Sequence, residues 1–235
     1  MQTATSRPIW RTPKRYRAAA RSTARACVAL ALFGASACAV ASTLKFVGWN
    51  VPGAHPSVSI AQPSSTSATA GEFSILLDGN HETSFCIEPY QYIQFGQVYT
   101  DYTLVDGATR FGATALGRLA GLYENHLDEA RTSGAASAAF QIAVWEIVFE
   151  AANPIRLNEG TFSIGGPFGS GKAGTLAADW LATLDSQPQG NWRFAVLQSE
   201  RRQDQLIASE IPLPATAALL GVGLLGLAGT RRRAL

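Results

Sequence analysis

The chain has 235 residues, of which 47% are hydrophobic and 15% charged, a composition that excludes a disordered or collagen-like protein. The formal net charge is +2, but seven of the 19 basic residues precede residue 26 and three more stand at 231–233. Residues 42–210 therefore contain nine basic residues and all 17 acidic residues, which gives this region a net charge of −8. Such an acidic region argues against a nucleic-acid partner.

The N-terminal segment has the organisation of a secretory signal peptide. A basic leader precedes an apolar run from Ala26 to Ala41, and the run ends in small residues at alternate positions, Ala39-Val40-Ala41. The run is short for a membrane span, and the small residues suit signal peptidase. We expect residues 1–41 to be removed during export. An uncleaved membrane anchor is the alternative.

The region between the two ends is long enough for one domain with its own core. We expect residues 42–70 to supply N-terminal strands and a polar loop at 61–71, and residues 71–210 to form the main domain. Alternating apolar and aromatic residues predict strands within residues 72–99. Apolar residues spaced by three and four predict helices, and a final apolar run predicts a closing strand. The predicted segments are Leu116–Leu127, a helix through Gln141 that ends at Asn153-Pro154, Ala173–Leu184, and the strand Trp192–Leu197. The fold class is α+β.

The C-terminal segment has the length and flanking charge of a membrane span. Residues 211–230 contain no charged residue, and 20 residues at about 1.5 Å each can cross about 30 Å of hydrocarbon. Arg231, Arg232 and Arg233 follow directly and would stay in the cytoplasm, which places the rest of the protein outside it. A C-terminal helix of the domain core is the alternative.

A short proline box precedes this span. Pro212, Leu213 and Pro214, the Gly/Leu-rich span and the terminal arginines together resemble the PEP-CTERM sorting signal of Gram-negative bacteria, with Leu213 in place of the usual glutamate. The resemblance implies recognition by an exosortase-type processing enzyme in the inner membrane. It also implies a transient membrane anchor, removal of the span, and release to the cell surface or an exopolysaccharide matrix.

Cysteine usage is unusual for an exported protein. Cys27 and Cys38 leave with the signal peptide, so Cys86 is the single thiol of the mature chain and has no partner within it. A lone thiol in an oxidising compartment indicates an intermolecular disulfide, a reactive thiol, or a thiol held in another covalent bond. A buried inert cysteine is the fourth alternative.

Two motifs around this thiol resemble those of bacterial thioester domains. The first is Phe85-Cys86-Ile87-Glu88 in the strand region, and the second is Gln141-Ile142-Ala143-Val144-Trp145 on a predicted helix. The resemblance implies that the Cys86 sulfur and the Gln141 side-chain carbonyl are joined as an internal thioester. Members of that family are best known as surface adhesins of Gram-positive bacteria.

The chemistry of such a bond sets requirements that the sequence can meet. A thioester is a better electrophile than an amide, and its formation from glutamine requires the thiol to lie against the amide while ammonia leaves. Survival in water then requires shielding by nearby apolar residues. The shielding candidates are Phe85, Ile87, Phe140, Val144 and Trp145. The alternatives are a solvated Gln141 and a Trp145 that is ordinary core.

The other polar residues of the region give weaker indications. We expect Glu88 and Glu146 to be solvated acids, although either could relay a proton from an attacking amine. His55, His81 and His126 lack metal-ligand spacing and are expected at the surface or in loops. The Gly-rich stretch 166–173 lacks the hydroxyl that ends a phosphate-binding loop. We therefore expect no metal and no cofactor.

The sequence thus predicts an exported surface or matrix adhesin that covalently captures an amine- or hydroxyl-bearing molecule, exopolysaccharide included. The capture is a single event, so an enzyme is not expected. Two alternatives remain. In the first, Cys86 is the nucleophile of a transglutaminase-like or protease-like site with His126 as base. In the second, the protein is a structural matrix component with an inert Cys86.

Overall fold

The computed structural model describes residues 41–150, 155–157, 160–165, 171–184 and 190–211. The predicted signal peptide, apart from Ala41, lies outside the described residues. So does the predicted sorting signal, apart from Ile211. Within the described ranges, no helix is both long enough and apolar enough to span a membrane.

The described residues form nine strands and four helices, which confirms the mixed α and β composition. The strands are β1 Ala41–Trp49, β2 Ser57–Gln62, β3 Thr66–Thr69, β4 Phe73–Leu77, β5 Asn80–Cys86, β6 Val98–Asp106, β7 Ser163–Gly165, β8 Trp192–Gln198 and β9 Gln205–Glu210. The helices are α1 Gly107–Arg110, α2 Ala113–Ala130, α3 Gly134–Phe149 and α4 Lys172–Thr183.

Six strands close into an antiparallel barrel in the order β1-β4-β5-β9-β8-β6. Residues 42–70 were expected to supply N-terminal strands, and the structure shows that the first of them, β1, is part of this barrel. Phe46 of β1 pairs with Ile75 of β4 on one side, and Ala41 pairs with Thr103 of β6 on the other. Alternate residues of β1 are buried, so one face of the strand contributes to the core.

The expectation that residues 61–71 form a loop is wrong in part. Strand β3 runs through Thr66–Thr69 and pairs with β2, and β2 also pairs with β7 to complete a three-stranded sheet. Strand β2 buries Val58 and Ile60, whereas β3 contains only small and polar residues. Main-chain hydrogen bonds hold β3, and these require no apolar side chain, so the sequence pattern misses it.

The three long helices lie where the apolar spacing predicts them, with small differences at their ends. Helix α3 ends at Phe149, before the predicted stop at Asn153-Pro154, which lies outside the described residues. Its first turn is capped by the Ser133 hydroxyl, which accepts a hydrogen bond from the Ala136 N–H at 3.2 Å. A Cβ at Gly134 would collide with the Ala54 carbonyl oxygen, so this approach requires glycine.

Helix α3 is the central helix of the domain. Its residues from 136 to 147 are all buried, and it packs against α2, α4 and strand β5. A helix that is buried on all sides must lie inside the fold rather than on its surface. The predicted closing strand is also corrected: Trp192–Leu197 belongs to β8, and β9 follows it and closes the sheet against β5.

Candidate functional site

The structure brings Cys86 and Gln141 into direct contact. The Cys86 backbone N–H donates to Gln141 Oε1 at 3.0 Å, and Gln141 Nε2 donates to the Cys86 carbonyl oxygen at 2.7 Å. Gln141 is 1% exposed and Cys86 3% exposed. The alternative of a solvated Gln141 is therefore excluded. Its carboxamide is held at both ends by the residue that carries the thiol.

Strand β5 and helix α3 position the two side chains. Cys86 is the last residue of β5 and pairs with Gln205 of β9, while Gln141 lies in the middle of α3. The adjacent sheet is fixed by a buried hydrogen bond from the Ser84 hydroxyl to Gln205 Oε1 at 3.0 Å. The site therefore lies where the end of one barrel strand meets the central helix.

The five predicted shielding residues all lie in the core. Phe85 and Phe140 have ring centroids 4.7 Å apart, so aromatic rings that flank the two site residues pack together. Trp145 lies one helical turn beyond Gln141, with its ring centroid 6.4 Å from that of Phe162. Ile87 and Val144 are also buried. The surroundings of the thiol are consequently apolar and closed.

Burial dominates the electrostatics of the thiol. It raises the pKa of Cys86 from 9.0 to about 12, so the free thiol stays protonated at neutral pH. The backbone N–H of Glu88 and the indole of Trp145 act in the opposite direction, whereas the carboxylates of Glu88 and Asp204 raise the pKa further. A protonated thiol is a weak nucleophile, so any attack by the Cys86 sulfur requires that its proton be transferred during the reaction.

The two hydrogen bonds fix the orientation of the Gln141 carboxamide against the main chain of residue 86. The Cys86 N–H already donates to Oε1, the oxygen on which negative charge would develop during attack at Cδ. The Nε2 atom is the group that would leave, and it hydrogen-bonds only the Cys86 carbonyl oxygen among the contacts described.

Glu146 is not the solvated acid that we expected. It is fully buried, and neither carboxylate oxygen has a hydrogen-bond partner among the described residues. Burial, followed by repulsion from Glu150, raises its pKa from 4.5 to about 8, and the nearby Arg156 backbone N–H opposes the rise. Glu146 is therefore mostly protonated at neutral pH. Glu88 is half-buried and accepts a hydrogen bond from Gln91 at 3.0 Å.

His126 contacts Trp180 and Glu129, and no contact with Cys86 or Gln141 is described for it. It lies on α2, its ring stacks on Trp180 with centroids 4.9 Å apart, and its Nδ1 is 4.0 Å from Glu129 Oε2. It is thus neither a surface nor a loop histidine, and desolvation lowers its pKa. His81 lies on an exposed part of β5. Among the residues that the structure describes, no group of three potential ligands could hold a metal ion.

An acidic cavity of about 620 Å³ borders the site at the turn between β8 and β9. Three acids line it, Asp101, Glu200 and Asp204, together with Arg201. The Asp204 carbonyl oxygen accepts a hydrogen bond from the Ile87 N–H at 2.9 Å, so the cavity wall adjoins the residue after Cys86. Burial raises the pKa of Asp204. The predominance of acids favours cations near the site.

Sequence reasoning did not identify Ser84, Asp204 or Gln205 as neighbours of the thiol. Ser84 and Gln205 are 121 positions apart in the chain, and only the register between β5 and β9 joins them. That register has no signal in a single sequence. The burial of Glu146, by contrast, does have a signal in the sequence, because this residue is the single acid in a long apolar helical run.

Comparisons with known protein families, curated proteins and solved structures give no match for this chain.

Proposed function

We propose that the protein is an exported surface or matrix adhesin whose Cys86 and Gln141 form an internal thioester for covalent capture. The observation that carries the proposal is the contact between them: within the described residues, the Gln141 amide hydrogen-bonds the main chain of Cys86 at both ends, and both residues are buried. The resemblance of the two flanking motifs to those of thioester domains supports the same assignment.

Formation of the bond balances without any other reactant. The Cys86 sulfur attacks Gln141 Cδ, the backbone N–H of residue 86 stabilises the developing oxyanion, and Nε2 takes up the thiol proton and leaves as ammonia. The reaction converts a protonated thiol and an amide into a neutral thioester. It therefore avoids a resting thiolate, which this desolvated site disfavours.

Capture proceeds in the reverse sense with a different nucleophile. An amine or hydroxyl on the partner forms a bond to Gln141 Cδ, the bond from Cδ to sulfur breaks, and Cys86 becomes a free thiol. Gln141 ends as a stable amide or ester to the partner, so each molecule reacts once. Suitable partners are a surface molecule or exopolysaccharide that bears amines or hydroxyls.

The route of export is proposed from the two ends of the chain. The N-terminal segment directs the protein across the inner membrane, and the C-terminal segment holds it there until an exosortase-type enzyme removes the span. The folded domain is then released to the cell surface or extracellular matrix.

Intact mass of the purified domain tests the thioester. The wild-type domain should be lighter than its calculated mass by one ammonia and should resist thiol alkylation, while Cys86→Ala and Gln141→Ala should each have their full calculated mass. Full wild-type mass with a freely alkylated thiol would instead favour the cysteine enzyme. Full mass with an unreactive thiol in the folded state would favour a structural matrix protein.

A further inference from the structure

The indole of Trp145 contains a polar group that shielding does not require. Trp145 is 1% exposed, and its Nε1 has no hydrogen-bond partner among the described residues. By contrast, the indole N–H groups of Trp180 and Trp192 donate to carboxylates of Glu129 and Glu124, at 3.2 and 3.0 Å. A buried donor without a partner is uncommon and unfavourable, so the Trp145 N–H calls for an explanation.

Helix geometry places Trp145 next to Gln141 on one face of α3. Trp145 follows Gln141 by four residues, so both side chains lie on one face of α3, about 6 Å apart along its axis. Gln141 is bonded to the Cys86 main chain. The indole N–H and the Glu88 backbone N–H both lie close enough to the Cys86 sulfur to favour its charged form. The unpartnered indole N–H therefore lies on the side of α3 that carries the Gln141–Cys86 contact.

We infer that the Trp145 N–H, together with the Glu88 backbone N–H, binds the Cys86 sulfur as it leaves the thioester. This inference rests on the proposed function. As the nucleophile bonds to Gln141 Cδ, the electron pair of the breaking bond moves to Sγ. The extra proton of the attacking amine goes to solvent and later to the thiolate.

The donor is useful because the charge on sulfur changes during this step. Thioether-like and thiol sulfurs are weak acceptors, which fits the absence of a normal hydrogen bond to Trp145 in the resting site. A sulfur that gains negative charge accepts a much stronger, charge-assisted bond. An interaction that is stronger in the transition state than in the ground state accelerates the reaction.

The experiment compares variants that keep the aromatic ring but lose the donor. One is Trp145→Phe, and the second replaces Trp145 by benzothienylalanine, in which sulfur substitutes for the indole N–H in a ring of nearly the same shape. The matched control is Trp192→Phe, which removes an indole N–H that bonds Glu124. Intact mass measures thioester content, methylamine gives the aminolysis rate, and thiolate absorbance gives the pKa of the released Cys86.

Both Trp145 variants should retain the thioester and react with methylamine about 10- to 100-fold more slowly than wild type, with a higher pKa for the released thiol. The Trp192→Phe variant should react at the wild-type rate. Lost shielding alone would accelerate hydrolysis and aminolysis, the opposite sign. Wild-type rates and thiol pKa in the benzothienylalanine variant would overturn the inference while the thioester stands. A wild-type domain without the mass deficit would overturn the proposed function and this inference together.

Discussion

A double-mutant cycle between Cys86 and Gln141 distinguishes a covalent link from the two hydrogen bonds. Both hydrogen bonds of the Gln141 side chain go to main-chain atoms of residue 86, so Cys86→Ala leaves their acceptor and donor in place. If the side chains are joined, either single substitution removes the link completely. The double variant then loses nothing more of it, and the two effects on the free energy of unfolding are not additive.

The free energies expected from the covalent link and from the hydrogen bonds follow from the structure. The two residues are 55 positions apart, and a link that closes a loop of this length stabilises the folded state by about 4 kcal/mol in the chain-entropy description. The Gln141→Ala change also leaves the Cys86 N–H without its partner and, where no thioester has formed, the Cys86 carbonyl group as well, at about 1–3 kcal/mol each. The coupling energy should therefore be about 4 kcal/mol with a thioester and below about 1 kcal/mol without one.

The assay is urea unfolding of the wild type, both single variants and the double variant, followed by circular dichroism at mildly acidic pH to slow thioester hydrolysis. A second cycle pairs Cys86→Ala with Gln205→Ala. Gln205 is a buried glutamine beside Cys86 in the sheet, but its amide oxygen bonds Ser84. Because Gln205 and Cys86 are neighbours, this control cycle should show a small coupling energy, about 0.5–1 kcal/mol, well below that of a covalent link. Equal coupling energies in the two cycles would refute a Cys86–Gln141 link.

Three further outcomes are expected. Methylamine or a polyamine should add its mass at Gln141 and release one thiol at Cys86 in equal amounts by peptide mapping, and Asp204→Asn should reduce the preference for cationic amines at low salt. Deletion of Arg231–Arg233 should block the conversion of a membrane-bound precursor into a shorter surface form, as C-terminal peptide analysis would show. Because the folded-state pKa of Glu146 is raised from 4.5 to about 8, its contribution to stability is complete below pH 4.5 and is lost as the pH rises to 8. The unfolding free energy of wild type should fall relative to Glu146→Gln by up to ~1.4 kcal/mol per pH unit in that range.

The predictability of the fold depends on the kind of element. Helices α2 and α4 begin and end close to their predicted positions because each has one apolar face with regular spacing. Strand β3 was predicted as loop because its polar residues are held through the main chain. Strand β9 was not predicted as a separate element, although it closes the barrel against β5.

Some residues of the candidate site could likewise be predicted from the sequence, and others could not. Cys86 and Gln141 could be singled out from sequence because each of their motifs is local and lies on a recognisable element, and the structure places the Gln141 amide against the Cys86 main chain. The surrounding groups depend on long-range pairing, so Asp204 and Gln205 could not be assigned from sequence. Glu146 was predicted as solvated because charge suggests solvent, but α3 has no solvent face at its position.

The order of strands in the barrel has a consequence for the proposed export. The N-terminal strand β1 is held between β4 and β6, and the last strand, β9, is the neighbour of β5 at Phe85 and Cys86. Pairings between such distant segments form late and slowly. If the chain is exported as proposed, the sheet around Cys86 therefore cannot be completed until Gln205 and Leu206 of β9 have emerged from the translocation channel. Thioester formation should be among the last steps of maturation, which keeps the electrophile from arising while the chain is still partly unfolded.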